Sequence, residues 1–178
     1  MYSGMRQTEI CQLHIGDVKE IDGVLCFDIN ANAEDKDVKS KAAVRTVPVH
    51  PSLIALGLLN YHKSLIEKKQ KRLWPELEYK RDGYGQTLQR WYGRFNRKLF
   101  PDDRLKCFHS MRHCFITNLK LKGVEETAIM ELVGHTNPSM TTGRYGKRFP
   151  PSKLLEAMNK LDYGFDVVKV VREAEKKH

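Results

Sequence analysis

The sequence predicts an α+β protein, mainly α-helical, with a small antiparallel β-sheet near the N-terminus. Three observations carry that reading. Two stretches rich in β-branched residues, "EIDGVLCFDI" and "AVRTVPV", fall early in the chain. The turn pair Asp22-Gly23 splits the first, and Pro48 and Pro51 end the second. From Ser52 onward the apolar spacing changes from alternation to helical recurrence, with glycines at the stops and prolines at the starts.

Each element follows in order. The chain opens inside a helix, "MRQTEICQL", which sets Met5, Ile10 and Leu13 among polar residues and has Ser3 and Gly4 as available caps. The strands come next, with Lys36 to Lys41 in or beside their connection. A helix from Ser52 places Leu53, Leu56, Leu59 and Ile66 on or near one face, and "KKQKR" closes it. A loop runs from Trp74 to Gly85. In "QTLQRWYGRFNRKLF" the residues Leu88, Trp91, Tyr92, Phe95 and Leu99 make an apolar stripe, while Arg90, Arg94, Arg97 and Lys98 lie off it. The last third reads as the helices "HSMRHCFITNLKLKG", "EETAIMELVG", a turn around Tyr145, and "PPSKLLEAMNKL". The stretch from Tyr163 reads as a frayed helix or a trailing linker.

The charge narrows the partner. With 31 Lys and Arg against 22 Asp and Glu, the 178 residues carry a formal net charge of +9. Cations set against phosphates release condensed counterions, so nucleic acid is the expected ligand. The longest apolar run, "LIALGLL" from Leu53, is too short to span a bilayer, and there is no secretory signal. A cytoplasmic location and no membrane partner are expected. Cys11, Cys26, Cys107 and Cys114 lack CxxC spacing and read as reduced thiols. Cys107, His109, His113 and Cys114 match no common zinc spacing, so neither metal nor cofactor is expected.

"HSMRH", residues 109 to 113, sets two histidines and an arginine in the first turn of a helix, where free backbone N–H groups and the dipole favour an anion. On a helical wheel Met111, Phe115 and Leu119 are read as one side and His109, Arg112 and His113 as the opposite side, so the cluster need not be core. Standing alone, such a cluster reads first as an exposed basic cap or a buried histidine bonded to a carbonyl.

Arg6 in "GMRQTE", His109 and Arg112 in "HSMRH", His135 in "VGH" and Tyr145 in "GRYGK" occur in an order that resembles the tyrosine recombinase, or phage integrase, family. "GRYGKRFPP" is similar to integrases of bacterial prophages and genomic islands. The resemblance implies a catalytic domain over residues 1–162 without the family's amino-terminal DNA-binding domain, then a C-terminal tail over residues 163–178. It implies site-specific cleavage and rejoining of double-stranded DNA through a covalent 3′-phosphotyrosyl intermediate, with Tyr145 as nucleophile. The full-length protein is expected to act as a homotetramer on paired sites.

The residue types suit that task. Arg6 and Arg112 can clamp a phosphodiester bidentately, and His109 and His135 can donate to it or exchange a proton. The resemblance assigns protonation of the leaving oxygen to a lysine before an "R-x-V-P" strand, matched here by Arg45, Val47 and Pro48. Lys39 is the choice and Lys41 the close competitor. Glu9, three residues after Arg6, is placed to orient a guanidinium. Lys41, Arg90, Arg94 and Arg97 are candidates for the DNA backbone. No GxxxxGK[ST] loop occurs, in keeping with resealing from a stored phosphotyrosyl bond.

Three rivals remain. A type IB topoisomerase shares this chemistry. A metal-dependent nuclease would use Asp102, Asp103, Glu125 and Glu126. A non-catalytic integrase remnant would bind DNA in a salt-dependent way and not capture it.

Overall fold

Asp22 and Gly23 take positive φ, 49° and 75°, so the chain reverses tightly between β1 (Val18–Ile21) and β2 (Val24–Ile29). The computed structural model describes residues 1–81, 83–103, 105–135 and 148–177. β3 (Arg45–Pro48) completes an antiparallel sheet of order β1-β2-β3, in which Val18 faces Phe27, Phe27 faces Val47 and Ile29 faces Arg45. One face of that sheet is core: Val18, Phe27, Ile29 and Val47 are buried.

Helices cover this face. α1 (Gln7–Cys11) precedes β1, and α2 (Pro51–Ala55) and α3 (Leu58–Glu67) follow β3. Then come α4 (Gly85–Leu99), α5 (Phe108–Leu121), α6 (Glu126–Val133), α7 (Pro151–Met158) and α8 (Val167–Glu175). Phe115 and Leu119 of α5, Ile129, Leu132 and Val133 of α6, and Leu154 and Met158 of α7 join the strand residues in one apolar cluster. The sequence therefore predicts the class and the sheet correctly.

Several expectations are corrected. The helix from Ser52 is two helices, because Gly57 adopts φ 95° between α2 and α3. The break resets the helical phase, so Leu56, Leu59 and Ile66 are exposed and Leu65 is the buried residue. On α4, Gly85 and Asn96 are the buried positions, Leu88 and Tyr92 are half-buried, and Trp91, Phe95 and Leu99 are exposed at 51%, 46% and 54%. The predicted stripe is thus a flank of α4, with the Trp91 and Phe95 rings stacked on each other. By contrast, the apolar side of "SKLLEAMNKL" is buried within its own chain, α7 lying against β2 and β3.

The segment from Tyr163 is ordered into α8. Asp166 caps it, accepting from the backbone N–H groups of Val168 and Lys169. α8 lies against α2, and the Tyr163 hydroxyl donates to the Met1 carbonyl at 3.0 Å.

Candidate active site

Three consecutive carbonyls at the end of α6 organise the site. A helix leaves its last carbonyls without intrahelical partners, and cations are favoured there. Arg45 Nε donates to the Leu132 carbonyl at 2.8 Å, an Arg112 terminal nitrogen donates to Val133, and Arg6 donates to Gly134 at 3.2 Å. Three guanidiniums from separate segments of the chain are thereby gathered at one helix end, and His135 is the next residue.

Local structure fixes each of them. Arg6 is the N-cap residue of α1, with extended ψ of 151°, and Glu9 one turn later accepts both its backbone N–H at 2.8 Å and its side chain at 2.7 Å. Arg6 remains 21% exposed, whereas Glu9 is 3% exposed. The opposite edge of Glu9 is occupied by Arg45, which donates to it at 3.1 and 2.9 Å and also to the Ala43 carbonyl at 2.8 Å. Burial opposes the charge on Glu9, but the hydrogen bonds and charge of Arg45, with the hydrogen bonds of Arg6, hold its pKa below the ordinary carboxylate value.

Arg112 is buried, only 3% exposed, and donates to the Gly4 carbonyl at 2.7 Å as well as to Val133. This corrects the helical wheel. At 100° per residue Arg112 falls beside Phe115 and Leu119, not opposite them, and all three are buried. Burial first, then the charges of Arg6 and Arg45, pull its pKa down to about 10, which leaves it cationic at neutral pH. Two glycines allow the close approach. A Cβ on Gly134, at φ 65°, would stand 2.8 Å from an Arg45 nitrogen, and one on Gly4, at φ 60°, would stand 2.6 Å from the Phe115 ring.

The histidines flank the guanidiniums. His109 and His135 are exposed, and both pKa values are lowered, in each case by lost hydration first. His109 then feels His113, Arg112, Arg6 and Lys39, while His135 feels Arg112, Arg6, Arg45 and His109. The rings of His109 and His113 meet edge to face at 4.8 Å. Among the described residues, the carboxylate paired with these guanidiniums is that of Glu9. The centre therefore has an excess of positive charge, which an anion would relieve.

Lys39 is exposed on the β2–β3 connection, and its charge reaches His109. Lys41 begins a short 3₁₀ turn, Lys41–Ala43; its side chain lies outside what is described. Tyr145, and the predicted turn around it, also lie outside the described residues. Arg90, Arg94 and Arg97 are exposed on α4. Arg97 lines an open groove between α4 and α5 with Gln89, Asn96, Lys106 and His109, and Arg90 and Arg94 do not. Among the described residues no cluster of three or more His, Cys, Asp and Glu is arranged to hold a metal ion, and no helix is long and apolar enough to cross a membrane.

The structure brings together Arg6, Glu9, His109, Arg112 and His135 from the sequence reading and adds Arg45, which that reading used only to mark the strand after the lysine. A signal existed. Arg45 stands two residues before the buried Val47, so strand alternation sends it to the core face, where a guanidinium must have partners.

An α+β frame gathers guanidiniums and imidazoles into a centre with an excess of positive charge. The chain belongs to the phage integrase family, whose model matches residues 1–150. It is 28% identical to a tyrosine recombinase XerC-like protein of Caldanaerobacter subterraneus subsp. tengcongensis over 89% of this chain and 47% of that protein. It is 29% identical to tyrosine recombinase XerA of Thermococcus kodakarensis over 78% of this chain and 45% of that protein, and 25% identical to a tyrosine recombinase of Thermosipho africanus over 79% and 44%. The chain thus spans about half the length of the curated relatives it matches.

Proposed function

We propose that the chain is the strand-cleaving portion of a site-specific DNA recombinase, in which Tyr145 attacks a backbone phosphodiester held by Arg6 and Arg112. The observation that carries this reading is the meeting of Arg6, Arg112, His109 and His135 at the end of α6, with Glu9 paired to Arg6 and Arg45. Family membership and the tyrosine recombinases among its relatives give the reading its direction.

The chemistry follows from charge. A phenol of reference pKa about 10 is only about one-thousandth ionised at neutral pH, a deficit of about 4 kcal/mol that neighbouring cations and a proton acceptor offset. The Tyr145 oxygen forms a bond to phosphorus as the bond to the 5′-oxygen breaks. Arg6 and Arg112 take up the charge on the non-bridging oxygens. His109 and His135, whose pKa values are lowered in the free chain by lost hydration and neighbouring cations, can donate to those oxygens or accept the phenolic proton. Lys39 gives the departing 5′-oxygen its proton. Resealing is the reverse, with a 5′-hydroxyl attacking the phosphotyrosyl bond. In the whole protein, copies assembled as a tetramer on paired sites would exchange strands between duplexes.

The test uses a pool of duplexes with randomised cores and one interrupted strand, incubated in EDTA with the wild type and with Tyr145→Phe. Expected is a protein–DNA adduct that survives denaturation, is present in the wild type and is absent in the variant. Salt-sensitive binding with no adduct would instead identify a DNA-binding remnant. Adducts accompanied by relaxation of supercoiled plasmid, with no exchange between duplexes, would identify a topoisomerase.

A further inference from the structure

The connection between β2 and β3 is tied down at three places just before Lys39. Lys36 reaches the Asp17 carboxylate at 2.6 Å and the Asn30 side-chain oxygen at 2.9 Å, and the Lys36 and Asp17 side chains are 3% and 8% exposed. Asp35 accepts from Arg72 at 2.6 Å and faces His14 at 3.1 Å. The Arg72 guanidinium itself lies 3.3 Å from the centre of the Tyr84 ring.

The third tie is different, because it reaches the backbone nearest Lys39 from the helix that bears Arg6. Gln12, buried at 8% exposure, donates its Nε2 to the Asp37 carbonyl at 2.6 Å and accepts the Asp37 N–H at 3.1 Å. The side-chain amide thus pairs with a peptide unit as a neighbouring strand would. Arg6, Glu9 and Gln12 follow one another at intervals of three, so successive turns of α1 serve the anion-binding cluster, Arg45 of β3 and the lysine connection.

We infer that Gln12 is a positioning residue for Lys39: its paired bonds to Asp37 set the distance between the lysine and the phosphate clamp begun by Arg6. The inference rests on the reading of Lys39 as the proton donor. Only Val38 separates the anchored Asp37 from Lys39, so the lysine backbone cannot be placed independently of that anchor. The donor needs such placement, since general acid catalysis is effective only within hydrogen-bond reach of the leaving atom.

The experiment compares two substrates that differ in one atom, an ordinary duplex carrying the sequence recovered in the adduct and the same duplex with sulfur in place of the scissile 5′-oxygen. A thiolate leaves without a proton, whereas an alkoxide does not. Gln12→Ala is expected to slow cleavage of the oxygen substrate about 10- to 100-fold, toward the roughly 100-fold or greater loss expected of Lys39→Ala. On the sulfur substrate both variants should stay within about 3-fold of wild type. Gln12→Glu, which matches glutamine in shape but loses the donor to the Asp37 carbonyl, should resemble Gln12→Ala, and Gln12→Ala should add nothing in a Lys39→Ala background. Equal losses for Gln12→Ala on both substrates, with Lys39→Ala rescued by sulfur, would overturn the role of Gln12 alone. Failure of sulfur to rescue Lys39→Ala would overturn the reading of Lys39, and this inference with it.

Discussion

Glu9 and Arg45 meet in a buried two-pronged pair, at 3.1 and 2.9 Å, with side chains 3% and 2% exposed. The pair joins the helix that carries Arg6 to the strand that follows the lysine connection. Removing Arg45 leaves the buried Glu9 with Arg6 alone as its cation, so Arg45→Met should lower stability by about 3 kcal/mol in urea unfolding. Glu9→Gln should cost less stability but should release Arg6, seen as a loss of DNA cleavage larger than the loss of DNA affinity.

Gly134→Ala tests the close approach at the end of α6. The left-handed φ of 65° costs a side chain about 1–2 kcal/mol. The new Cβ would also press on Arg45 at 2.8 Å. Thermal unfolding should show a loss of at least that size, whereas alanine at Gly123, where a Cβ meets nothing within 4 Å, should show the backbone penalty alone.

Arg112→Lys keeps the charge and loses the fork. A lysine cannot hold the Gly4 and Val133 carbonyls and a phosphate together. Adduct formation should fall about 100- to 1,000-fold, while DNA affinity at fixed salt changes little.

Acid should loosen the free chain and tighten its hold on DNA. His50, His109 and His135 all have pKa values lowered from 6.5, His50 mainly by burial. Each is easier to protonate in the unfolded chain, so its contribution to stability is complete above about pH 6.5 and is lost as pH falls below that value. The urea midpoint should therefore be lower at about pH 5.5 than at about pH 7.5. A bound phosphate favours the imidazolium forms of His109 and His135, so the same acidification should raise DNA affinity. Constant affinity over that range would remove both histidines from phosphate contact.

The basic side of α4 has a salt signature. If the groove beside His109 carries DNA backbone, Arg97→Gln should reduce the slope of log affinity against log salt by about 0.9, the increment for one neutralised phosphate. Arg90→Gln and Arg94→Gln, outside that groove, test whether the duplex extends across the outer side of the helix.

Local patterns determined much of this protein. Asp22-Gly23 specified the hairpin, Pro51 and the later Gly134 marked where helices begin and end, and the types of Arg6, His109, Arg112 and His135 suit a phosphate, a role that their order assigns only through the family resemblance. These features act within a few residues or through residue type, which a linear reading captures. Only the tertiary structure decided that Arg112 belongs with Phe115 and Leu119 in the interior, that α7 buries its apolar side against β2 and β3, and that Arg45 shares Glu9 with Arg6. A guanidinium is buried only where distant carbonyls and a carboxylate are brought to it, and the carbonyls of Gly4, Leu132, Val133 and Gly134 become neighbours of these arginines only once the sheet and α6 have packed.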